Sequence, residues 1–346
     1  MKAALRESPQ KVKCIDMPSP SPKAGEVLVR VNKVGICGSD IVRYGEDVDR
    51  WNSVVLGHEF AGEVQEVASD VSTVKVGDRV TAAPLVPCHK CEFCLKGKFS
   101  LCGGYTFIGS RIQGAFAEYV CVPAINIVPL PDNLDYAKAA LVEPITVCLH
   151  PILPLGNLLG KSAVVTGAGT IGVLAAQVFK AMGAKTVIVS DVIDEKLDLA
   201  KKHGADITVN VIKDNLEDIV KENCSGGGAD VVFESSGSNP AKMSAIKVCK
   251  GGGTILLVGT SPVDITFGAE LFELITRKEI NMVGSWMNYS APYPGEEWST
   301  AVWMLEKGLI KTEGIISHEF GIEGMQDALD VIFGKKENFT KIIITP

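Results

Sequence analysis

The sequence predicts a mainly β domain of short strands joined to an α/β domain with a doubly wound parallel sheet. Three observations predict it. Short β-like runs fill the first 147 or so residues. Strand-like and helix-like segments alternate from about residue 160. A G-x-G-x-x-G turn separates the first strand of that alternation from its first helix. At 346 residues the chain is long enough for two domains with large cores.

In chain order, "EVLVRV", "EFAGEVQEV", "DRVTAA" and "AEYVCV" read as short strands. Gly25, Gly77-Asp78 and Pro131-Asp132 punctuate them. The texture then changes. "SAVVT" is apolar and β-branched, and "TIGVLAAQVFKAMG" is helical. "TVIVSD", "DEKLDLAKKHG", "DITVN", "NLEDIVKENC", "DVVFESSG", "NPAKMSAIKVC", "GTILLVG" and "ELFELITRKE" continue the alternation. After about Gly284 it breaks. Helix-like "EEWSTAVWMLEKG" and "GIEGMQDALDVIFG" precede a strand-like "KIIIT". The predicted boundaries are 1–147, 148–284 and 285–346, the last segment rejoining the first domain.

Composition narrows the class. Hydrophobic residues make up 46% and charged residues 22%, an ordinary globular balance. A formal net charge of −7 without charge blocks argues against a general nucleic-acid binder. "MKAALRESPQ" lacks an apolar signal-peptide core, so a cytoplasmic location is expected. The uncharged run between Lys161 and Lys180 approaches the length of a membrane span. Its polar residues and glycines read better as strand, turn and helix, so no membrane segment is expected.

That run holds "VVTGAGTIG". Gly167 permits the turn, Gly169 lets backbone approach a pyrophosphate, and Gly172 lets the helix pack on the strand. Thr170 and Ile171 open the helix, whose N-terminus offers N–H groups to phosphate. The second strand ends at Asp191. Its carboxylate can accept from both adenosine ribose hydroxyls and would repel a 2′-phosphate. Val192 and Ile193 supply no arginine to hold one, so NAD is preferred to NADP.

Two groups of residues suit metal. "PCHKCEFCLKGKFSLC" places Cys88, Cys91, Cys94 and Cys102 on one loop, within a lobe of about 86–104. Four thiolates can close a tetrahedral shell around zinc, and a closed shell contributes stability, not catalysis. Iron–sulfur is the alternative, since C-x2-C-x2-C also opens ferredoxin motifs. Zinc is preferred because the fourth thiol comes seven residues later, with no following proline and no second cluster. His89 reads as an exposed loop residue. The second group is dispersed: Cys37 in "GICGSD", His58 and Glu59 in "GHEFAGEV", and Glu143 in "LVEPIT". Spacing alone does not show that these converge.

"GHEFAGEVQEVASDV", "CGSD", the cysteine loop, "EP" and the glycine turn together resemble the zinc-containing alcohol dehydrogenases of the medium-chain dehydrogenase/reductase superfamily. The resemblance covers essentially the whole chain. It implies a GroES-like catalytic domain and a Rossmann-fold cofactor domain, with the active site in the cleft between them. It further implies two zinc ions per chain. Cys37, His58 and Glu143 match the catalytic zinc ligands, Glu59 a carboxylate beside that metal, and the four loop cysteines a structural zinc site. Glu143 stands where the simplest members carry a cysteine. That resembles the polyol dehydrogenase branch, typified by sorbitol dehydrogenase. "YTFIGSRIQGAFAEY", "VEPITVCLH" and "GSWMNYSAPYPGEEW" resemble its members that act on galactitol 1-phosphate.

The implied reaction is oxidation of a secondary hydroxyl of a polyol phosphate to a keto-sugar phosphate with formation of NADH. Ser39 is then a candidate proton acceptor. Alternatives are an unphosphorylated, sorbitol-like polyol or L-threonine. Other classes are an iron–sulfur carrier and a non-catalytic NAD-binding protein. A phosphate would need local cations, and Arg43, Arg111 and Lys278 are candidates. Trp286 and Tyr289 could line a pocket or belong to the core. The family commonly forms homodimers or homotetramers.

Overall fold

The computed structural model describes residues 1–346 apart from Pro262 and Lys336. The chain divides into two compact units. One is Met1–Glu143 with Tyr289–Gly308 and Thr312–Pro346; the other is Pro144–Asn288 with Leu309–Lys311.

The first unit is built on a sheet whose path runs Ile316–Gly321, Lys341–Thr345, Glu26–Gly35, Glu59–Val67, Arg79–Ala82, Ile127–Pro129. Tyr119–Pro123 also pairs with Glu26–Gly35. All four predicted strands are present. In Glu26–Gly35, Val27, Val29 and Val31 alternate into the core, where they join Phe60, Val64, Val80, Phe116 and Val120. Lys341–Thr345 runs antiparallel to Glu26–Gly35 and parallel to Ile316–Gly321. The antiparallel hairpin of Lys2–Ser8 and Lys11–Asp16 lies outside the predicted strands. Its most buried residues are the small Ala3 and Ala4, adjacent and therefore on opposite faces, too weak a pattern to mark a strand.

The second unit holds a six-stranded parallel sheet in the order Ile207–Asn210, Thr186–Asp191, Ser162–Thr166, Ala229–Glu234, Cys249–Leu257, Asn281–Gly284. Numbered along this unit, that is 3-2-1-4-5-6, the doubly wound dinucleotide-binding order. The central strand "SAVVT" is buried throughout, as a parallel sheet covered on both faces requires. The order reverses between Ser162–Thr166 and Ala229–Glu234, which opens a crevice at their carboxyl ends. Asn281–Gly284 is a sixth strand that the alternating pattern does not mark; its four residues are all exposed.

The uncharged run resolves into the strand Ser162–Thr166 and the helix Thr170–Ala181. A different helical stretch, Tyr136–Leu155, is long and apolar enough to cross a membrane, but 67% of its most apolar window is buried, as in a core helix.

Candidate metal and dinucleotide sites

Sheet register brings the dispersed residues together. Glu26–Gly35 pairs antiparallel with Glu59–Val67, with Gly35 opposite Glu59. Cys37 and His58 therefore leave the same end of the ladder side by side. Ligand atoms of Cys37, His58 and Glu59 all lie within 4.8 Å of one another. His58 and Glu59 are buried and Cys37 is half-buried.

Cys37 is also the N-cap of the helix Gly38–Gly45. In that helix's first turn the buried Asp40 accepts from the Cys37 backbone N–H at 3.1 Å. Arg43 donates to Ser39 Oγ at 2.9 Å and to Asp40 Oδ1 at 3.3 Å. His58 Nδ1 stands 3.5 Å from Asp40 Oδ1, in ion-pair range but without hydrogen-bond geometry.

The charges show what the pocket favours. Burial alone would lower the pKa of His58, but Asp40 and Cys37 outweigh it and hold the imidazole well above its ordinary 6.5. Burial likewise opposes the charge on Lys341. Glu59, Cys37 and Glu143 override it and raise the ammonium above 10.5. Lys341 Nζ donates to Glu59 Oε2 at 2.5 Å and to the Ile36 carbonyl at 3.0 Å. Glu143 is buried in the first turn of Val142–Ile152, where Pro144 costs no helical hydrogen bond. It lies outside the cluster of three, but its charge acts on both Lys341 and Tyr289.

The pocket thus concentrates thiol and carboxylate groups and favours positive charge at its imidazole. A divalent cation fits that demand, and sulfur, imidazole and carboxylate donors suit zinc.

The cysteine loop is a second, separate cluster, with four sulfurs within 4.8 Å of one another. Cys91 and Cys94 are 3.5 Å apart, Cys88 and Cys94 4.0 Å, and none forms a disulfide. Ligands about 2.3 Å from a tetrahedral zinc stand about 3.8 Å from each other, so the spacing suits a single ion. An iron–sulfur cluster would hold its cysteines further apart. The backbone N–H of Lys90 leads a group of donors that lowers Cys88 to about 6, while burial pushes Cys94 up to about 12. His89 is exposed, its ring edge-on to Phe99 and Tyr293.

In the second unit, Ser162–Thr166 runs into Gly167 at φ 97°. Gly169 is the N-cap of Thr170–Ala181 and offers no side-chain cap. Thr170 and Ile171 form the first turn. A Cβ on Gly172 would overlap the Gly167 carbonyl oxygen, so only glycine lets strand and helix approach this closely. Asp191 ends its strand. One carboxylate oxygen accepts from Ala168 N at 2.6 Å, the other from Val192 N at 2.7 Å and Ile193 N at 3.1 Å. The carboxylate so ties the glycine turn to the second strand and keeps lone pairs for further donors. A cavity of about 540 Å³ opens here, lined by Gly167, Asp191, Val192, Ser236 and Ser238 among others. Its size and its place at the switch point fit the adenosine half of a dinucleotide.

Other candidates fare differently. Lys278 is held by the carbonyls of Lys247 and Cys249, both at 2.8 Å. Arg111 lies over the Tyr105 ring and donates to that residue's carbonyl. Tyr289 is buried and accepts from the Leu85 backbone N–H at 3.1 Å, whereas Trp286 is 63% exposed. Sequence reasoning missed Asp40 and Lys341. The signals were there: an Asp three residues after a helix-capping Cys, and a lone lysine opening the apolar "KIIIT".

A cluster suited to zinc and a doubly wound dinucleotide unit in one chain are the parts of a zinc-dependent alcohol-type dehydrogenase, and known proteins bear out that class. Residues 23–132 match the alcohol dehydrogenase GroES-like domain, and residues 170–307 match the zinc-binding dehydrogenase family. The chain belongs to the zinc-containing medium-chain alcohol and polyol dehydrogenases, whose cofactors are zinc and a nicotinamide dinucleotide. It is 38% identical over 307 residues to galactitol 1-phosphate 5-dehydrogenase of Escherichia coli K12, covering 88% of each chain. It is 32% identical to sorbitol dehydrogenase of Bacillus subtilis, covering 100% of this chain and 97% of that one. The crystal structure of galactitol-1-phosphate dehydrogenase from Escherichia coli superposes with a TM-score of 0.94 at 35% identity, covering both chains fully.

Proposed function

We propose that this protein oxidises a secondary hydroxyl of a polyol phosphate, galactitol 1-phosphate first, to the keto-sugar phosphate (tagatose 6-phosphate), with reduction of NAD to NADH. The observation that carries the reading is the convergence of Cys37, His58 and Glu59 beside the charge of Glu143. Cys37, His58 and Glu143 would hold a catalytic zinc, and the four loop cysteines a structural one. Gly167, Gly169, Thr170, Ile171, Gly172 and Asp191 would hold NAD. When bound, zinc supplies a Lewis acid for the substrate oxygen, and NAD the hydride acceptor.

The chain's own residues supply the rest. Asp40, 3.5 Å from His58 Nδ1, favours positive charge on the ring. Lys341 holds Glu59 and balances one negative charge of the pocket. Ser39 Oγ accepts from Arg43, which leaves its own proton free to pass on, so it can relay the hydroxyl proton towards solvent. Arg43 gives Nη1 to both Ser39 and Asp40.

A second reading, an unphosphorylated polyol, draws support from the full-length match to a sorbitol dehydrogenase. Turnover of galactitol 1-phosphate, galactitol, sorbitol and L-threonine with NAD, with and without a chelator, separates them. The expected result is a clear preference for galactitol 1-phosphate that chelation abolishes. Preference for an uncharged polyol would transfer the assignment to the second reading, and turnover indifferent to metal removal would refute both.

A further inference from the structure

A fully buried ion pair lies directly beneath the wall of the dinucleotide cavity. Glu234 ends the strand Ala229–Glu234 and is wholly buried; Lys242, on the helix Asn239–Val248, is 7% exposed. Their charged atoms stand 3.3 Å apart. A buried pair of this kind adds little stability over an apolar pair, so its presence points to a role in fixing one arrangement of the chain.

That arrangement is the turn Ser235–Ser238. Glu234 Oε1 accepts from Ser236 Oγ and from the Gly237 backbone N–H, both at 2.8 Å. Ser236 Oγ in turn accepts from Ser238 N at 3.1 Å, and Ser238 Oγ caps the helix that carries Lys242. Lys242 Nζ donates to the Gly259 carbonyl at 3.1 Å, and the Glu234 carbonyl accepts from Val258 N and Gly259 N. Two loops therefore cross over one ion pair. At the crossing Gly237 has φ 72°, and a Cβ there would overlap the Thr260 carbonyl oxygen. Ser236, Ser238 and Ala241, all set by this clamp, line the cavity.

We infer that Glu234 and Lys242 are positioning residues for the dinucleotide: together they hold the Ser235–Ser238 turn in the one conformation that completes the cavity wall. This rests on reading that cavity as the NAD site. Loss of either charge leaves the other buried without its partner and frees the turn. The bound conformation must then be selected from several, which weakens binding without touching the reacting atoms.

The test uses the full chain and NADH as the probe. Wild type, Glu234→Gln, Lys242→Met and Ser236→Ala are titrated with NADH by fluorescence at 25 °C. Thermal melting is followed without cofactor, and kcat and both KM values are measured. In Glu234→Gln and Lys242→Met the NADH Kd and the KM for NAD should rise roughly tenfold. Ser236→Ala, which leaves the core pair in place, should raise them about threefold with an unchanged melting temperature. The kcat at saturating NAD and the KM for the polyol should stay within about twofold of wild type. A purely structural role would lower the melting temperature and leave the NADH Kd of the folded protein unchanged, which overturns the inference. If either core variant fails to fold, Ser236→Ala decides alone, and an unchanged Kd overturns the proposal. Failure of wild type itself to bind NADH overturns the cavity reading instead.

Discussion

Replacing Lys341 by Met should damage the first unit more than any surface lysine would. The side chains of Lys341 and Glu59 are 5% and 2% exposed, and the ammonium also satisfies the Ile36 carbonyl. Methionine fills similar space but leaves a buried carboxylate unpaired. That costs about 3–5 kcal/mol, with about 1 kcal/mol more for the lost carbonyl partner. In a unit of about 200 residues, each kcal/mol shifts the melting temperature by about 2–4 °C, so a fall on the order of 10 °C is expected. Trp51 and Trp298 are buried in this unit and report its unfolding by fluorescence. Measurement in metal-free protein avoids a cation that could replace the ammonium. Adding Glu59→Gln should recover more than half of the loss. A fall of under about 3 °C, or a double variant no better than the single one, would refute the reasoning. The pH dependence has a definite sign. The folded Lys341 has its pKa raised above 10.5, so the pair's stabilisation is complete below that value and fades only as pH climbs through the folded one.

The other predictions follow from the two clusters and the glycine turn. His58→Ala should abolish turnover while far-UV circular dichroism and NADH binding stay intact; retained turnover would remove His58 from the metal. Cys91→Ser should lower bound zinc from about two to about one per chain and destabilise the fold by about 2–5 kcal/mol, read by metal analysis and melting. Gly172→Ala should abolish NADH binding, because its methyl group meets the Gly167 carbonyl; an unchanged Kd would contradict the close approach seen here.

How much of this was legible in the sequence depends on range. The second unit is written locally: strand, glycine turn, helix and terminal aspartate follow one another within one βαβ stretch, and the structure keeps that order. The cysteine loop is local too. The cluster proposed to be catalytic is not, since the spacing of Cys37, His58 and Glu59 says nothing of contact. Only the pairing of Gly35 with Glu59 makes them neighbours, and that register depends on which faces of two strands are buried. The lone lysine of "KIIIT" was visible, but not its partner, since Glu59 comes from another strand of the sheet. Glu234 lies in "DVVFESSG" and Lys242 in "NPAKMSAIKVC", and nothing local in either segment marks a buried pair; the crossing of two loops buries them.

The placement of Lys341–Thr345 bears on how the protein is made. This strand lies inside the first unit's sheet, beside Glu26–Gly35, and Lys341 itself reaches Glu59 in the cluster with Cys37 and His58. The contiguous stretch Pro144–Asn288 can collapse as soon as it leaves the ribosome. The first 143 residues must wait, with two strand positions of their sheet unfilled and Glu59 uncompensated, until the segment around Lys341 has been synthesised. During synthesis the cofactor unit is therefore complete before the cluster around Cys37, His58 and Glu59 is, although all of the proposed metal-binding residues are translated first.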